Sequence, residues 1–300
     1  MKGLTPMTRT SLAAISAAFA LAAFPATACD LNIEGAAQTW RIGFDPFIQD
    51  LAFRQFDVAL VNQGSTACVG VFATRLEAET YGLAQAGRAE RVAYALVDER
   101  AGADITPRSG QSAHQTGAPS IALAPGERAL ARFSATAAPA RLLSAGVYAQ
   151  TFDLVVETED GLPLAQRPVT LELDVASAAV MGLKGELVRR AGGAVIDLGE
   201  LTEGRRDLAA SVYVLSTEGY SVAISSANQG RLRLGATEWF VPYGLALGDH
   251  VIDLEGGDRL EVVSRDARSD DYPLTISIGA VGGKRAGAYS DVITLTVAAL

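Results

Sequence analysis

The feature that most constrains the fold is a repeated segment in which apolar and polar residues alternate. Residues 144–156 align with residues 285–297, and both copies contain an Ala-Gly-x-Tyr turn followed by the alternation. A period of two is typical of a half-buried β-strand. Because the repeat unit is as long as a domain, it predicts two related β-sandwiches in series.

The rest of the chain supports an all-β interpretation. Short alternating or apolar runs are separated by Gly, Asn, Asp and Pro clusters, and helical periodicity is hard to find after residue 30. We expect one domain over residues 29–176 and a second over 177–300, which are ordinary domain sizes. The small apolar residues from Ala176 to Val180 are interpreted as a junction.

The two copies of the repeat are continued differently along the chain. After the first copy comes an Asp160-Gly161 turn and another alternating strand, in which Val169, Leu171 and Leu173 share one face. After the second copy come only Ala298-Ala-Leu300. We therefore expect a complete sheet in the first sandwich and an empty strand position in the second.

Residues 1–28 have the pattern of an export signal. Lys2 and Arg9 precede an apolar run from Leu12 to Phe24, and Ala26-Thr27-Ala28 is typical of a cleavage site. The run is shorter than the roughly 20 residues that span a bilayer, so we predict an exported chain without a membrane span. Lipidation of Cys29 is disfavoured, because Ala26 stands where a lipid-attachment box usually has Leu.

Charge and cysteine content narrow the function classes further. The formal net charge is −9, which argues against nucleic acid or anionic lipid as a partner. Cys29 and Cys68 are the only cysteines, and in an exported protein such a pair predicts one disulfide.

The sequence offers no catalytic or cofactor-binding set. The only histidines are His114 and His250, no His/Cys cluster has zinc spacing, and no Gly-rich loop opens a helix. Asp266 and Asp270-Asp271 are acidic enough to suggest calcium, but the twelve-residue calcium-loop pattern is absent, which favours a solvated loop. We therefore predict no cofactor, no metal and no enzymatic activity.

Three motifs in the second half carry a family resemblance. They are Gly219–Leu234, Val241–Leu247 and Ala286–Val297. In this order they resemble the spore coat protein U domain family, which includes subunits of archaic chaperone-usher pili. The Cys29 to Cys68 spacing, with Ile42–Phe47 between, is a looser match to the opening of such domains.

The resemblance implies an immunoglobulin-like, pilin-like sandwich that lacks its last strand. The missing strand would come from the N-terminal extension of a neighbouring pilin subunit, and a periplasmic chaperone and an outer-membrane usher would be partners. An apolar groove beside unpaired backbone groups invites such strand addition. The expected groove edge consists of Tyr289, Val292, Ile293, Leu295 and Val297.

The predicted N-terminus suggests a place within the fibre. A donating subunit needs an extended alternating segment before its sandwich, but Cys29 would stand first in the mature chain. We therefore expect a tip subunit, a class that commonly consists of two-domain adhesins.

Aromatic and apolar residues cluster between Trp40 and Phe56. Trp40, Phe44 and Phe56 are in phase with strands and are expected in the core. Phe47, Ile48 and Leu51 lie in the turn after Asp45-Pro46. If exposed at the far end of the domain, they would form an adhesive patch for an unknown surface ligand. In the second half we expect Trp239, Phe240 and Tyr243 to pack in the core.

Two alternatives stay open at this point. The chain could be a secreted coat or matrix protein that uses the same domain without building a pilus. It could also be a periplasmic chaperone, which would need basic residues in the cleft between its domains. Lys184, Arg189 and Arg190 are the candidates for that role.

Overall fold

A computed structural model describes residues 29–34, 38–77, 79–108, 119–190 and 193–300. These residues form strands, turns and loops, and no α-helix occurs among them. In the same ranges no helix is long and apolar enough to cross a membrane. The predicted export signal and His114 lie outside the described residues.

The first half of the chain forms two sheets. Its strands are β1 (Leu31–Ile33), β2 (Gln38–Phe44), β3 (Ala52–Asn62), β4 (Cys68–Arg75), β5 (Leu83–Ala84), β6 (Arg91–Val92), β7 (Tyr94–Asp98), β8 (Ala103–Asp104), β9 (Ile121–Leu123), β10 (Arg128–Ala137), β11 (Gly146–Glu157) and β12 (Pro163–Val175). One sheet has the order β1-β3-β10-β7-β8 and the other β2-β12-β11-β4-β9. We call this pair of sheets the first sandwich.

The core of the first sandwich is built around an aromatic cluster. Trp40 is 2% exposed and stacks on Phe56 at 4.9 Å between ring centroids. Phe133 and Phe152 pack against the same indole ring. Trp40 and Phe44 are buried and Phe56 packs against the core, so this part of the sequence prediction is confirmed.

The second half of the chain forms its own sheets. Its strands are β13 (Ala179–Gly185), β14 (Val188–Arg190), β15 (Gly193–Val195), β16 (Gly204–Ser216), β17 (Tyr220–Ser226), β18 (Arg231–Arg233), β19 (Phe240–Leu247), β20 (His250–Val251), β21 (Asp258–Val262), β22 (Arg268–Ile278) and β23 (Ile293–Ala299). The larger sheet has the order β13-β16-β22-β19-β18, and a three-stranded sheet has the order β21-β17-β23. We call this unit the second sandwich. The predicted all-β class is confirmed.

The chain passes directly from one sandwich into the other. Ala176 donates its backbone N–H to Phe44 at the end of β2, and β13 begins only three residues later. The prediction of a junction over residues 176–180 is therefore wrong at its C-terminal end, because Ala179 and Val180 already pair with β16. The Ala145 N–H donates to the Thr217 carbonyl at 2.9 Å and connects the two units a second time.

Candidate functional site: an open sheet edge

The two copies of the repeat hold equivalent places in the two sandwiches. Tyr148 donates its hydroxyl to the carbonyl of Ser144 at 3.2 Å, and Tyr289 donates to the carbonyl of Arg285 at 2.7 Å. A tyrosine that bonds four residues back marks the corner before the penultimate strand of immunoglobulin-like sandwiches. We therefore equate β11 with β23.

The glycine of each repeat adopts a backbone conformation that disfavours a side chain. Gly146 has φ 118° and Gly287 has φ 154°. A Cβ on Gly287 would lie 2.4 Å from Leu234 Cδ1, and one on Gly146 would lie 2.5 Å from Gln85 Nε2. The shared Ala-Gly-x-Tyr sequence is thus explained by the geometry of one corner used twice.

In the first sandwich β11 has a neighbour on both sides. β12 pairs antiparallel with one edge of β11, β4 and β5 pair antiparallel with its other edge, and β2 pairs parallel with the far edge of β12. The inward residues Phe152, Leu154 and Val156 are 2%, 0% and 0% exposed. This sheet is complete at the position after the tyrosine corner.

In the second sandwich β23 has a neighbour on one side only. It pairs with β17, and no strand of the described residues pairs with its other edge. The residues that match Phe152, Leu154 and Val156 are Ile293, Leu295 and Val297, and all three stay partly exposed although they pack against the core. The same positions are therefore covered in one sandwich and uncovered in the other.

β13 forms the opposite wall of this gap. It is the end strand of its sheet, and it pairs only with β16 among the described strands. Its inward side chains, Ala179, Met181 and Leu183, are partly buried against the same core. We use the term open groove for the space lined by Ala179, Met181 and Leu183 of β13 and by Ile293, Leu295 and Val297 of β23.

The backbone of β23 directs its free hydrogen-bonding groups into the open groove. The bonds from the Ala227 N–H to the Val292 carbonyl and from the Leu300 N–H to the Gly219 carbonyl show which residues face β17. Hydrogen-bonded and non-hydrogen-bonded pairs alternate along an antiparallel ladder. Residues 293, 295, 297 and 299 therefore point their N–H and C=O groups away from β17.

The same alternation holds for β13. Thr217 donates to the Ala178 carbonyl, and Glu186 donates to the Ala209 carbonyl, so the even residues between them bond to β16. Residues 179, 181, 183 and 185 face outward. The Leu183 carbonyl accepts a long bond of 3.4 Å from the Arg189 guanidinium, which is consistent with this direction.

The open groove is narrower than a full strand position. β13 and β23 approach within 8 Å of each other, Cα to Cα, without pairing. Two strands that flank a third lie about 9.5 Å apart, since neighbouring strands are separated by about 4.8 Å. An entering strand must therefore move the walls apart slightly where they are nearest.

A half-buried acid fixes the beginning of β23. Asp291 accepts hydrogen bonds from the Ser226 hydroxyl at 2.5 Å, the Tyr243 hydroxyl at 2.7 Å and the Asn228 N–H at 2.9 Å. Burial, together with the bond to Asp291, raises the pKa of Tyr243. These bonds hold β23 against β17 although its other edge has no partner.

The structure places the predicted groove residues in two groups. Ile293, Leu295 and Val297 line the open groove. Val292 does not, because its carbonyl bonds to β17 and its side chain is 65% exposed. Tyr289 forms the corner and packs against a smaller core cluster, so neither residue is at the groove edge.

The predicted disulfide is present, and the predicted adhesive loop is exposed. Cys29 and Cys68 are bonded. Ile48 is 81% exposed and Leu51 is 47% exposed, while Phe47 is half-buried. However, the loop comes after Phe44, whose carbonyl bonds to Ala176, so it lies at the end of the first sandwich nearest the second and not at the far end.

The remaining polar candidates are paired in structural contacts. Lys184 forms an ion pair with Asp271, and Arg268 forms one with Asp270. His250 lies 2.9 Å from Asp258. Asp270 and Asp271 belong to β22 and not to a loop as expected, and across the described ranges no group of three or more ligating side chains could hold a metal ion.

Comparison with known proteins gives loose structural similarities. One is to the chaperone–tip adhesion subunit pre-assembly complex CsuC–CsuE, from the archaic chaperone-usher Csu pili of Acinetobacter baumannii, at 13% identity and a TM-score of 0.45, covering 90% of this chain and 99% of that chain. Another is to the CupB6 tip adhesin from Pseudomonas aeruginosa, at 12% identity and a TM-score of 0.36, covering 90% and 95%. A third is to CfaE, the adhesive subunit of CFA/I fimbria of enterotoxigenic Escherichia coli, at 10% identity and a TM-score of 0.36, covering 88% and 92%.

No family model matches the chain, and no curated protein matches it. Membership of the spore coat protein U family therefore stays a prediction. The geometry of the sheets is the basis on which a function can be assigned.

Proposed function

We propose that the chain is an exported subunit of a surface fibre and that it assembles by accepting a β-strand from a neighbouring subunit. The observation that carries this proposal is the contrast between matched residues. Leu154 is 0% exposed beneath β12, whereas its counterpart Leu295 is partly exposed beside an empty edge. Residues 29–176 and 177–300 would be the two functional domains.

An added strand satisfies both walls of the open groove at once. Its backbone pairs with the outward N–H and C=O groups of β13 and β23, and its alternate apolar side chains cover the half-buried residues. The first sandwich provides the pattern, because β12 runs antiparallel to β11 and parallel to β2. We expect the donated strand to run antiparallel to β23.

The open groove also implies assembly partners. Apolar side chains beside unpaired backbone groups favour aggregation until they are covered. A periplasmic chaperone would cover the groove during export, and an outer-membrane usher would exchange the chaperone for the next subunit.

We place the subunit at the fibre tip. Cys29 is held by the disulfide, and Leu31–Ile33 pairs with β3, so the first described residues belong to the first sandwich and are not free to be donated. The first sandwich would be the adhesive domain. Phe47, Ile48 and Leu51 are kept as the proposed contact residues for a surface ligand because Ile48 and Leu51 are exposed, although their loop lies at the end nearest the second sandwich.

The contacts of two basic residues weigh against a periplasmic chaperone. Lys184 is paired with Asp271, and Arg189 bonds to the Leu183 carbonyl, so each already has a partner within the second sandwich. A coat or matrix protein would retain the same open groove, but it would accept a strand without an usher.

The test adds the missing strand to the chain. Glu157 aligns with Ala298, so appending residues 158–175 directly after Ala298 reproduces the β11–β12 hairpin at β23. Covering six half-buried side chains gains on the order of 3 kcal/mol, and we expect a rise in Tm of roughly 10 °C for the second sandwich. A control fusion carries Ser at the appended copies of Val169, Leu171 and Leu173.

Two results would count against strand acceptance. One is an unchanged Tm in the fusion, and the other is an equal rise in the Ser control. A synthetic peptide of residues 158–175, added as a separate molecule, should bind the unfused chain. Such binding would show that the groove accepts a strand from another molecule, and that the rise in Tm is not caused by the covalent linkage alone.

A further inference from the structure

A group of cations and aromatic rings lies at one end of the second sandwich. Arg231 and Lys284 lie over the ring of Phe240, at 5.0 Å and 4.9 Å from its centroid. Arg233 is nearby on β18, and Trp239 is 37% exposed. We call these five residues the basic-aromatic patch.

The exposure of the patch corrects the sequence prediction. Hydrophobicity predicts Trp239 and Phe240 in the core, but Phe240 and Glu238 line two shallow surface hollows of about 270 and 310 Å³, and Trp239 lines the first of them. Trp239 lies at the end of the turn between β18 and β19, one residue before β19 begins. Only Tyr243, in the regular part of β19, packs against the cores as expected.

The cations of the patch lack acidic partners. Among the described residues, Arg231, Arg233 and Lys284 form no ion pair, whereas other exposed arginines, such as Arg41, Arg132 and Arg259, each pair with an acid. Glu238 is the acid that lines both hollows, so the patch keeps a positive excess on a chain whose net charge is −9. Such a surface favours a ligand that carries carboxylates.

The patch lies at the end of the open groove where β23 begins. Arg233 and Ser290 exchange backbone hydrogen bonds, both at 2.9 Å, and Ser290 is three residues from Ile293. Three extended residues span about 10 Å. A strand antiparallel to β23 starts beside Ala299 and leaves the groove beside Ile293, next to the patch.

We propose that the basic-aromatic patch is the docking face for the folded body of the strand-donating subunit, and that it recognises an acidic surface there. This inference rests on the proposed function, because it needs a strand in the open groove. When the donated segment is an N-terminal extension, its folded body comes after the C-terminal end of the strand. That end emerges beside Arg233 and Lys284.

The test uses three synthetic peptides based on residues 158–175. One carries Gly-Ser-Gly and four acidic residues at its C-terminus, the second carries the same acidic tail at its N-terminus, and the third has no tail. We expect the C-terminal tail to tighten binding about tenfold at low salt, since its carboxylates can contact the three exposed cations of the patch. The advantage should disappear in 0.5 M NaCl, where exposed charges are screened.

Two variants assign the effect to the patch. The variant Arg231→Gln, Arg233→Gln, Lys284→Gln should lose the tenfold advantage and bind the peptide without a tail as well as the unaltered chain does. The variant Arg41→Gln, Arg128→Gln, Arg132→Gln removes the same charge from exposed positions of the first sandwich and should keep the advantage.

The outcomes separate this inference from the proposed function. If no peptide binds, strand acceptance fails and the inference fails with it. If the peptides bind but the two tail positions are equivalent, strand acceptance stands and the docking face is wrong. Heparin oligosaccharide bound by the patch, without any effect of the tail, would also overturn the inference and identify a saccharide site.

Discussion

Truncation of the matched leucines Leu154 and Leu295 to alanine should lower the free energy of unfolding by different amounts. Leu154 is 0% exposed, and Leu→Ala changes at buried positions cost about 2–5 kcal/mol. Leu295 holds the matched position in the second sandwich but is partly exposed. Because part of its side chain is already in water, we expect Leu295→Ala to lower the free energy of unfolding by only about 1 kcal/mol.

The added strand should remove this difference. In the fusion that carries residues 158–175 after Ala298, Leu295 becomes covered as Leu154 is, and Leu295→Ala should then cost about 3 kcal/mol. The increase of about 2 kcal/mol is the coupling between the side chain and the strand, and it corresponds to roughly a 30-fold loss of strand affinity.

Denaturant unfolding can follow the second sandwich separately. The chain has two tryptophans, Trp40 in the first sandwich and Trp239 in the second. A Trp40→Phe background leaves Trp239 as the fluorescent probe for the Leu295 variants, and Trp40 reports on Leu154→Ala. The reasoning would be refuted if Leu295→Ala cost as much as Leu154→Ala in the unfused chain, with no increase in the fusion.

Further predictions concern the disulfide, an acid, a corner and the exposed loop. Cys29→Ser should lower the free energy of unfolding by about 4 kcal/mol, since the disulfide joins residues 39 apart, and reduction of the unaltered chain should match it in urea melts. The Arg268 guanidinium holds the pKa of Asp270 below its usual 3.8. Because the folded-state pKa is lowered, the ionised carboxylate stabilises the fold at pH values above 3.8, and Asp270→Asn should lower the free energy of unfolding by about 1 kcal/mol at pH 7. The stability difference between the variant and the unaltered chain should vanish as the pH falls well below 3.8. A difference that does not depend on pH would refute the charge contribution. Tyr289→Phe removes the corner hydrogen bond and should cost about 1 kcal/mol in thermal melts, with no cost expected if the corner is dispensable. Ile48→Ser should reduce adhesion to apolar surfaces severalfold without changing Tm, because the side chain is 81% exposed; unchanged adhesion would remove the loop from the proposed binding site.

The sequence predicted the contrast between β11, which has a following strand, and β23, which has none, because the repeat is a local feature. The Ala-Gly-x-Tyr corner and the alternation after it are encoded within thirteen residues, and both survive in the structure as a tyrosine hydrogen bond and an inward face. The extra strand after Asp160-Gly161 was also local, since a hairpin joins it to its partner. These features allowed the empty edge of β23 to be anticipated.

The other wall of the groove could not be predicted in the same way. Ala179, Met181 and Leu183 alternate with Val180 and Gly182, so polar residues do not mark the outer face. β13 becomes a strand through its pairing with β16, about thirty residues further along the chain. Its role depends on a contact that no local pattern records.

Two other errors have similar physical causes. The position of the loop that contains Ile48 depends on the parallel pairing of β2 with β12, which places Phe44 beside Val175 and the junction. The exposure of Trp239 depends on where the turn before β19 ends. Hydrophobicity predicts burial for Trp239, and the order of residues along the chain does not show at which end of the sandwich the Ile48 loop lies; the sheet topology decides both.

Hydrogen exchange on β23 tests the open groove most directly. In the unfused chain we expect slow exchange for the amides of Thr294 and Thr296, which bond to β17, and fast exchange for those of Leu295 and Val297, which face the empty edge. In the fusion with residues 158–175, all four amides should become protected. Protection of Leu295 and Val297 already in the unfused chain would show that the edge is occupied and would contradict strand acceptance.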